Sequence, residues 1–227
     1  GIHAITMPGF GTTKRTKSNA QILMDLLHVS SEEISIVDGV NQHFKDIHHN
    51  PEVHNITYEN SQARERTQIL MDLSNSYNAI VVGTGDLSEL ALGWCTYNGD
   101  HMSMYAVNAS VPKTLVRYIV ESVALKDEIL HDVLMDICDT PVSPELLPPD
   151  KNGKIAQKTE EVLGSYDLHD FFLYQMLRHH DEPKKIYDLA CAAFKDVEKE
   201  TIKKAIVTFY NRFFTQQFKR NCMPDGV

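Results

Sequence analysis

Three short apolar runs, each closed by a turn signal, constrain this chain more than any other feature. Residues 4–7 run into Pro8-Gly9, residues 34–37 into Asp38-Gly39, and residues 79–82 into Gly83-Thr84-Gly85. Stretches of helical spacing lie between them, with Ile22, Leu23, Leu26 and Leu27 in the first and a second around residues 40–48. Residues 60–77 form the most regular helix, with Asn60 or Ser61 as its cap. Ala63, Ile69, Leu70 and Leu73 suit its core face, while Arg64, Glu65, Arg66 and Gln68 point elsewhere. The run at 79–82 suits a central parallel strand, and Asp86 and Ser88 supply capping chemistry for a helix that ends near Gly93. Strands alternating with helices predict an α/β fold, a parallel sheet flanked by helices.

From Pro112 the pattern changes. Residues 116–138, 167–179, 184–194 and 199–218 read as helices, and the Pro-rich, polar stretch 139–164 reads as a long loop. The expected organisation is an α/β nucleotide-binding part over residues 1–115 and a mostly helical part over 116–227.

Hydrophobic residues make up 42% of the 227, enough to bury a core. No apolar run approaches a membrane span, and no signal pattern opens the chain, which therefore reads as soluble and cytoplasmic. A net charge of −9 argues against a nucleic-acid partner but leaves room for small anions held by local cations. Cys95, Cys138, Cys191 and Cys222 form no C-x-x-C pair and read as reduced thiols. The adjacent pairs His48-His49 and His179-His180 diverge on any regular backbone and read as solvated.

In an open parallel sheet, ligands bind beyond the carboxyl ends of the strands. Two loops fall there, at residues 8–16 and 83–89. In the second, Gly83 and Gly85 allow close backbone approach, Thr84 offers a hydroxyl, and Glu89 lies one turn into the next helix. A carboxylate there suits Mg²⁺ bound to phosphates. The same residues also suit a plain strand-to-helix turn with an Asp cap, and both readings stand. Neither a Walker A pattern nor a G-x-G-x-x-G fingerprint is present. Asn60 and Arg64, four apart, share a helix face and suit a phosphate or carboxylate; a solvated charged helix explains them equally. Trp94, Tyr97 and Tyr105 mix with Asn98, Asp100, Asn108 and Ser110, a composition that fits a nucleotide pocket or a loop whose aromatics plug the core. Lys113 follows Pro112 at a helix start, where a cation reads as a phosphate contact or an ordinary surface lysine.

Three stretches closely resemble the glutamine-dependent NAD synthetase family. They are Asn60-Ser-Gln-Ala-Arg-Glu-Arg66, Gly83-Thr-Gly-Asp-Leu-Ser-Glu-Leu-Ala-Leu-Gly-Trp94 and Thr96-Tyr-Asn-Gly-Asp-His-Met-Ser-Met-Tyr105. Met7-Pro-Gly-Phe10, Tyr166-Asp-Leu-His-Asp-Phe-Phe-Leu-Tyr174 and Phe213-Phe-Thr-Gln-Gln-Phe-Lys-Arg220 look like the same family's amidating domain. The resemblance implies an adenine-nucleotide α-hydrolase-like, Rossmann-like fold and ATP-dependent amidation of deamido-NAD⁺ with ammonia, through an adenylated intermediate. It implies ATP contacts at Thr84 and Lys113, Mg²⁺ at Glu89, and deamido-NAD⁺ contacts at Asn60, Arg64 and Asp100. Asp100 and Lys113 would be the catalytic pair, Asp100 assisting or orienting the attack of ammonia and Lys113 neutralising departing pyrophosphate. The family also implies a homo-oligomer and a glutaminase domain in the same full-length chain.

Two departures accompany the resemblance. The family's Ser-Gly-Gly-x-Asp-Ser loop is absent from these residues, and so is a glutaminase segment. The expectation is therefore a piece cut at both ends, with little or no activity alone. A non-catalytic nucleotide-binding or regulatory module of the same fold is the alternative. An ATP pyrophosphatase with another substrate is a third reading, against which the agreement at residues 94–105 weighs.

Overall fold

The computed structural model describes residues 1–143, 146–148 and 159–226. The described chain divides into two compact units, each assembled from separate stretches of sequence. One holds Gly1–Val81, Asn98–Asp100 and Arg117–Lys158; the other holds Val82–Tyr97, His101–Val116 and Thr159–Val227. Among the described residues no helix is long and apolar enough to cross a membrane.

The first unit opens with β1 (His3–Thr6), α1 (Lys14–Leu26) and β2 (Ser30–Glu33). β1 and β2 pair in parallel, His3 opposite Ser30 and Thr6 opposite Glu33, so the crossover through α1 is a βαβ unit. The second strand thus precedes the apolar run at 34–37 that the sequence suggested. Ile36 instead starts α2 (Val37–Asp46), where Ile36, Val40 and Phe44 recur every fourth residue and are 1%, 0% and 1% exposed. Tyr58 completes that core from α3 (Ile56–Tyr77). Asn55 caps α3, accepting from the Thr57 and Tyr58 amides, so Asn60 and Ser61 lie inside the helix rather than at its start.

In the second unit, β3 (Val82–Asp86) pairs in parallel with β4 (Tyr105–Asn108) across the short α4 (Leu87–Leu92). Gly83-Thr84-Gly85 belongs to this strand instead of ending it, and β4 lies within the aromatic and polar stretch that the sequence left open between a nucleotide pocket and a loop. The run at 79–82 is not buried on both faces: Ile80 is 64% and Val82 52% exposed. Parallel pairing is as expected, in two two-stranded sheets among the described residues.

The stretch read as one helix over 116–138 is two, α5 (Lys113–Ala124) and α6 (His131–Cys138). Between them the Asp127 carboxylate accepts from the Ile129 and Leu130 amides and breaks the helical path. Ala124, Leu130, Val133 and Leu134 pack there with Leu23 and Leu26 of α1. Within the stretch read as loop, residues 144–145 and 149–158 lie outside the described residues, and α7 (Thr159–Leu163) is helical. α8 (Tyr166–Tyr174) runs into a π-helical turn at Gln175–His179. α9 (Pro183–Ala193) and α10 (Lys199–Thr215) follow. Leu92, Phe172, Ile186, Ile202 and Phe209, each no more than 1% exposed, form the centre of this unit's core. α4 is thereby docked on the helical half.

Gly93 ends α4 with φ +59°, and a Cβ there would collide with the Gln216 side chain. Gly93→Ala is expected to cost about 2 kcal/mol or more in urea unfolding, because strain and clash add.

Candidate functional site

β3, α4 and α5 bring three charged side chains to one point. Asp86, the last residue of β3, caps α4: its carboxylate accepts from the Glu89 amide, while Glu89 Oε2 accepts from the Asp86 amide at 3.3 Å, a complete capping box. The Lys113 ammonium, from the first position of α5, lies 2.7 Å from Asp86 Oδ2 and 2.9 Å from Glu89 Oε1. The Asp86, Lys113 and Glu89 side chains are 4%, 22% and 26% exposed. Sequence reasoning took Asp86 for a cap alone. Its second role comes from α5, which returns to the same strand end 27 positions on and cannot be read locally.

Burial pushes the Glu89 carboxyl up, and the charge of Asp86 pushes it the same way, against the pull of Lys113. Burial alone would lower the Lys113 ammonium, but Glu89 and Asp86 together raise it. Two carboxylates thus face one cation, and burial together with the charge of Asp86 outweighs the pull of Lys113 on Glu89. This oxygen-only, electron-hard pair fits a magnesium ion that takes its remaining ligands from phosphate and water. Among the described residues no group of three or more His, Cys, Asp or Glu side chains could hold a metal by itself.

The strand leading into the cluster is irregular. Register slips between Gly83 and Asp86, a bulge that releases Thr84 and Gly85 from regular pairing with β4, and Thr84 is exposed there. Gly83 lies against the Ser103 side chain too closely for any Cβ. Asp100, also exposed, lies in a turn between Thr96 and His101, where His101 Nδ1–H donates to the Thr96 carbonyl at 3.0 Å. Trp94 packs on the core and under the Arg212 guanidinium, 5.1 Å from its centroid, so this ring serves the packing role.

In the first unit, α3 carries Asn60, half-buried, and Arg64, exposed. The neighbours between and beyond them do work the sequence did not signal. Gln62, fully buried, donates to the Tyr58 and Leu146 carbonyls and accepts from the Phe10 amide at 3.2 Å. Arg66, expected to point away, donates Nε to the Met7 carbonyl at 3.1 Å. A Cβ on Gly9 would lie 2.9 Å from both the Gln62 and Arg66 side chains. The loop after β1 is therefore held by α3 next to Asn60 and Arg64.

A model of the NAD synthase family matches residues 1–222. The chain belongs to the NAD synthase family. A relative in that family, the glutamine-dependent NAD(+) synthetase of Mycobacterium leprae, is 41% identical over 251 residues, taking in 99% of this chain and 37% of that protein. The chain thus spans little more than a third of that relative's length. The crystal structure of a glutamine-dependent NAD(+) synthetase from Cytophaga hutchinsonii superposes with a TM-score of 0.73 at 20% identity, over 98% of this chain and 35% of that one. The glutamine-dependent NAD⁺ synthetase of Acinetobacter baumannii, solved in complex with ADP, is 26% identical with a TM-score of 0.52, over 93% of this chain and 36% of that one. The parallel strands flanked by helices agree with an adenine-nucleotide α-hydrolase-like fold.

A carboxyl raised in the folded state binds its proton more tightly when folded, so its contribution to stability falls as pH rises from the ordinary 4.5 through the raised value. The Lys113 contribution, from an amine raised above 10.5, persists until strongly alkaline pH. Lys113→Met is therefore expected to cost about 3 kcal/mol near pH 8, by stranding two carboxylates, and clearly less at an acid pH low enough for Glu89 to take up a proton. Urea unfolding at both pH values checks this; equal costs would mean that Glu89 does not respond to the lost cation.

Proposed function

We propose that this chain supplies the amidating chemistry of an NAD synthetase: ATP-dependent conversion of deamido-NAD⁺ to NAD⁺ with ammonia. The observation that carries the reading is the Asp86–Lys113–Glu89 cluster at a bulged strand end and helix start, in a chain of this family. In the first step the nicotinate carboxylate attacks the α-phosphorus of ATP. An oxygen–phosphorus bond forms, the bond to the β-phosphate breaks, and pyrophosphate leaves. In the second step ammonia attacks the activated carbonyl, AMP leaves with the former carboxylate oxygen, and the nitrogen sheds its proton.

Lys113 would trade carboxylate partners for ATP phosphates and stabilise the charge that develops on pyrophosphate. Thr84, exposed on the bulge, would contact ATP. Glu89, beside Asp86, would hold Mg²⁺, which when bound supplies charge neutralisation at the phosphates. Asn60 and Arg64 would bind deamido-NAD⁺, and Asp100 would face its nicotinate end, as base or as orienter of ammonia. The ADP in the Acinetobacter baumannii structure supports an adenine nucleotide as ligand. A glutaminase domain would supply ammonia, and a cytoplasmic homo-oligomer completes the proposal. A second reading, a nucleotide-binding module without catalysis, rests on one observation: no Ser-Gly-Gly-x-Asp-Ser motif occurs in these 227 residues.

Titration calorimetry with ATP and Mg²⁺, beside a dehydrogenase-coupled assay with deamido-NAD⁺ and ammonium, separates the readings. Nucleotide binding that Lys113→Ala weakens by about tenfold or more, the loss of one charge-assisted contact, is expected. NAD⁺ formation by the chain would establish catalysis; binding without turnover beside an active full-length protein fits a piece with little activity alone, and binding with no turnover in either favours the module. No binding would sink both.

A further inference from the structure

The first two amides of α5 are met by side chains from other helices. Lys113 N–H donates to Ser88 Oγ of α4 at 2.8 Å, and Thr114 N–H donates to Asp170 Oδ2 of α8 at 2.9 Å. The Thr114 hydroxyl donates to the same Asp170 oxygen at 2.7 Å, and the Ser88 hydroxyl donates to Asp170 Oδ1. Asp170 is 8% and Ser88 1% exposed. One buried carboxylate therefore gathers three donors from the starts of two helices. Because the Ser88 hydroxyl gives its proton to Asp170, its lone pairs remain to accept the Lys113 amide.

We propose that Asp170 is a positioning residue for Lys113: it fixes the start of α5 against the start of α4, and so sets the Lys113 ammonium between Asp86 and Glu89. Tyr166 strengthens the same link. It sits one turn before Asp170 on α8, on the same face, and its ring lies 5.4 Å from the Lys113 ammonium. α8 thus governs Lys113 at both ends, the backbone through Asp170 and Ser88 and the ammonium through Tyr166. Thr159–Val227 holds none of the groups assigned to ATP or deamido-NAD⁺, and Asp170 gives it a part in the site. What this positioning does for catalysis rests on the ATP reading above; the positioning itself does not.

The test is trace acetylation of the folded chain with acetic anhydride, quantified by mass spectrometry as Lys113 labelling relative to Lys184, whose side chain is 89% exposed. Asp170→Ala and Ser88→Ala are each expected to raise the Lys113-to-Lys184 ratio by about tenfold, through loss of hydrogen bonds to a charged group. Asp170→Asn, whose oxygen still serves Thr114 while its amide donates to Ser88, should stay within about twofold of wild type. Ile186→Val, which loosens the same core without touching the network, should leave the ratio unchanged. A wild-type ratio in Ser88→Ala and in folded Asp170→Ala, or an equal rise in Ile186→Val, would overturn the proposal. Should Asp170→Ala not fold, Ser88→Ala decides. If the expected labelling pattern appears but wild-type chain binds no ATP, the functional reading fails and the positioning role stands.

Discussion

A lysine held between two carboxylates, away from most of the solvent, organises the second unit. The Asp86, Lys113 and Glu89 side chains come from a strand end and two helix starts, and the ammonium is within 3 Å of both partners. In so dry a place, neither carboxylate would be tolerated without a cation, and the cation would not be tolerated without them. The strand, both helix starts and the backing helix α8 must therefore assemble together. The buried Asp170–Ser88–Thr114 network is the polar counterpart of the ion cluster, satisfying the first two amides of α5, which its start would otherwise leave open.

α4 shows how much of the fold serves that point. A helix of six residues is far too short to persist by itself. Its start is closed by the capping box. Its last carbonyls are met by cations: Arg212 donates to Leu92 and Gly93, Arg220 to Leu90 and Ala91, and Lys219 to Gly93 and Cys95. Positive charge at a helix C-terminus is favourable, and the two guanidiniums also lie over Trp94 and Phe213. The segment at residues 213–220, whose resemblance to the family carried no stated role, is thus a clamp on the helix that carries Glu89.

Local chemistry was the legible part of the sequence. Alternating apolar runs revealed parallel strands, and Pro112 marked the start of the helix that opens with Lys113. Where two local patterns coincide, the reading slipped. Ile34 and Ile36 alternate like a strand, yet Ile36, Val40 and Phe44 form a helical face that buries more. Asn60 is as good a cap as Asn55, and only the backbone shows which amides lie in reach. β4 was hidden because Tyr105 and Val107 stay exposed and its pairing partner lies across α4. Asp170 was beyond reach of pattern: its partners Ser88 and Thr114 are 82 and 56 positions away, and nothing in a helix motif names such partners.

The capping box has a consequence for selectivity. A helix start usually offers free amides and partial positive charge to any passing anion. Here Asp86 already accepts from the Glu89 amide, and the nearby lysine is already neutralised twice over. A monovalent anion would have to displace carboxylates that cannot leave, at no gain in charge. On the proposed ATP reading, a polyphosphate that arrived with a divalent cation would instead exchange partners: Asp86 and Glu89 would hold the metal, and Lys113 would turn to phosphate. Nucleotide and metal affinities at such a cluster would then be thermodynamically linked, each ligand raising the other's by the same factor.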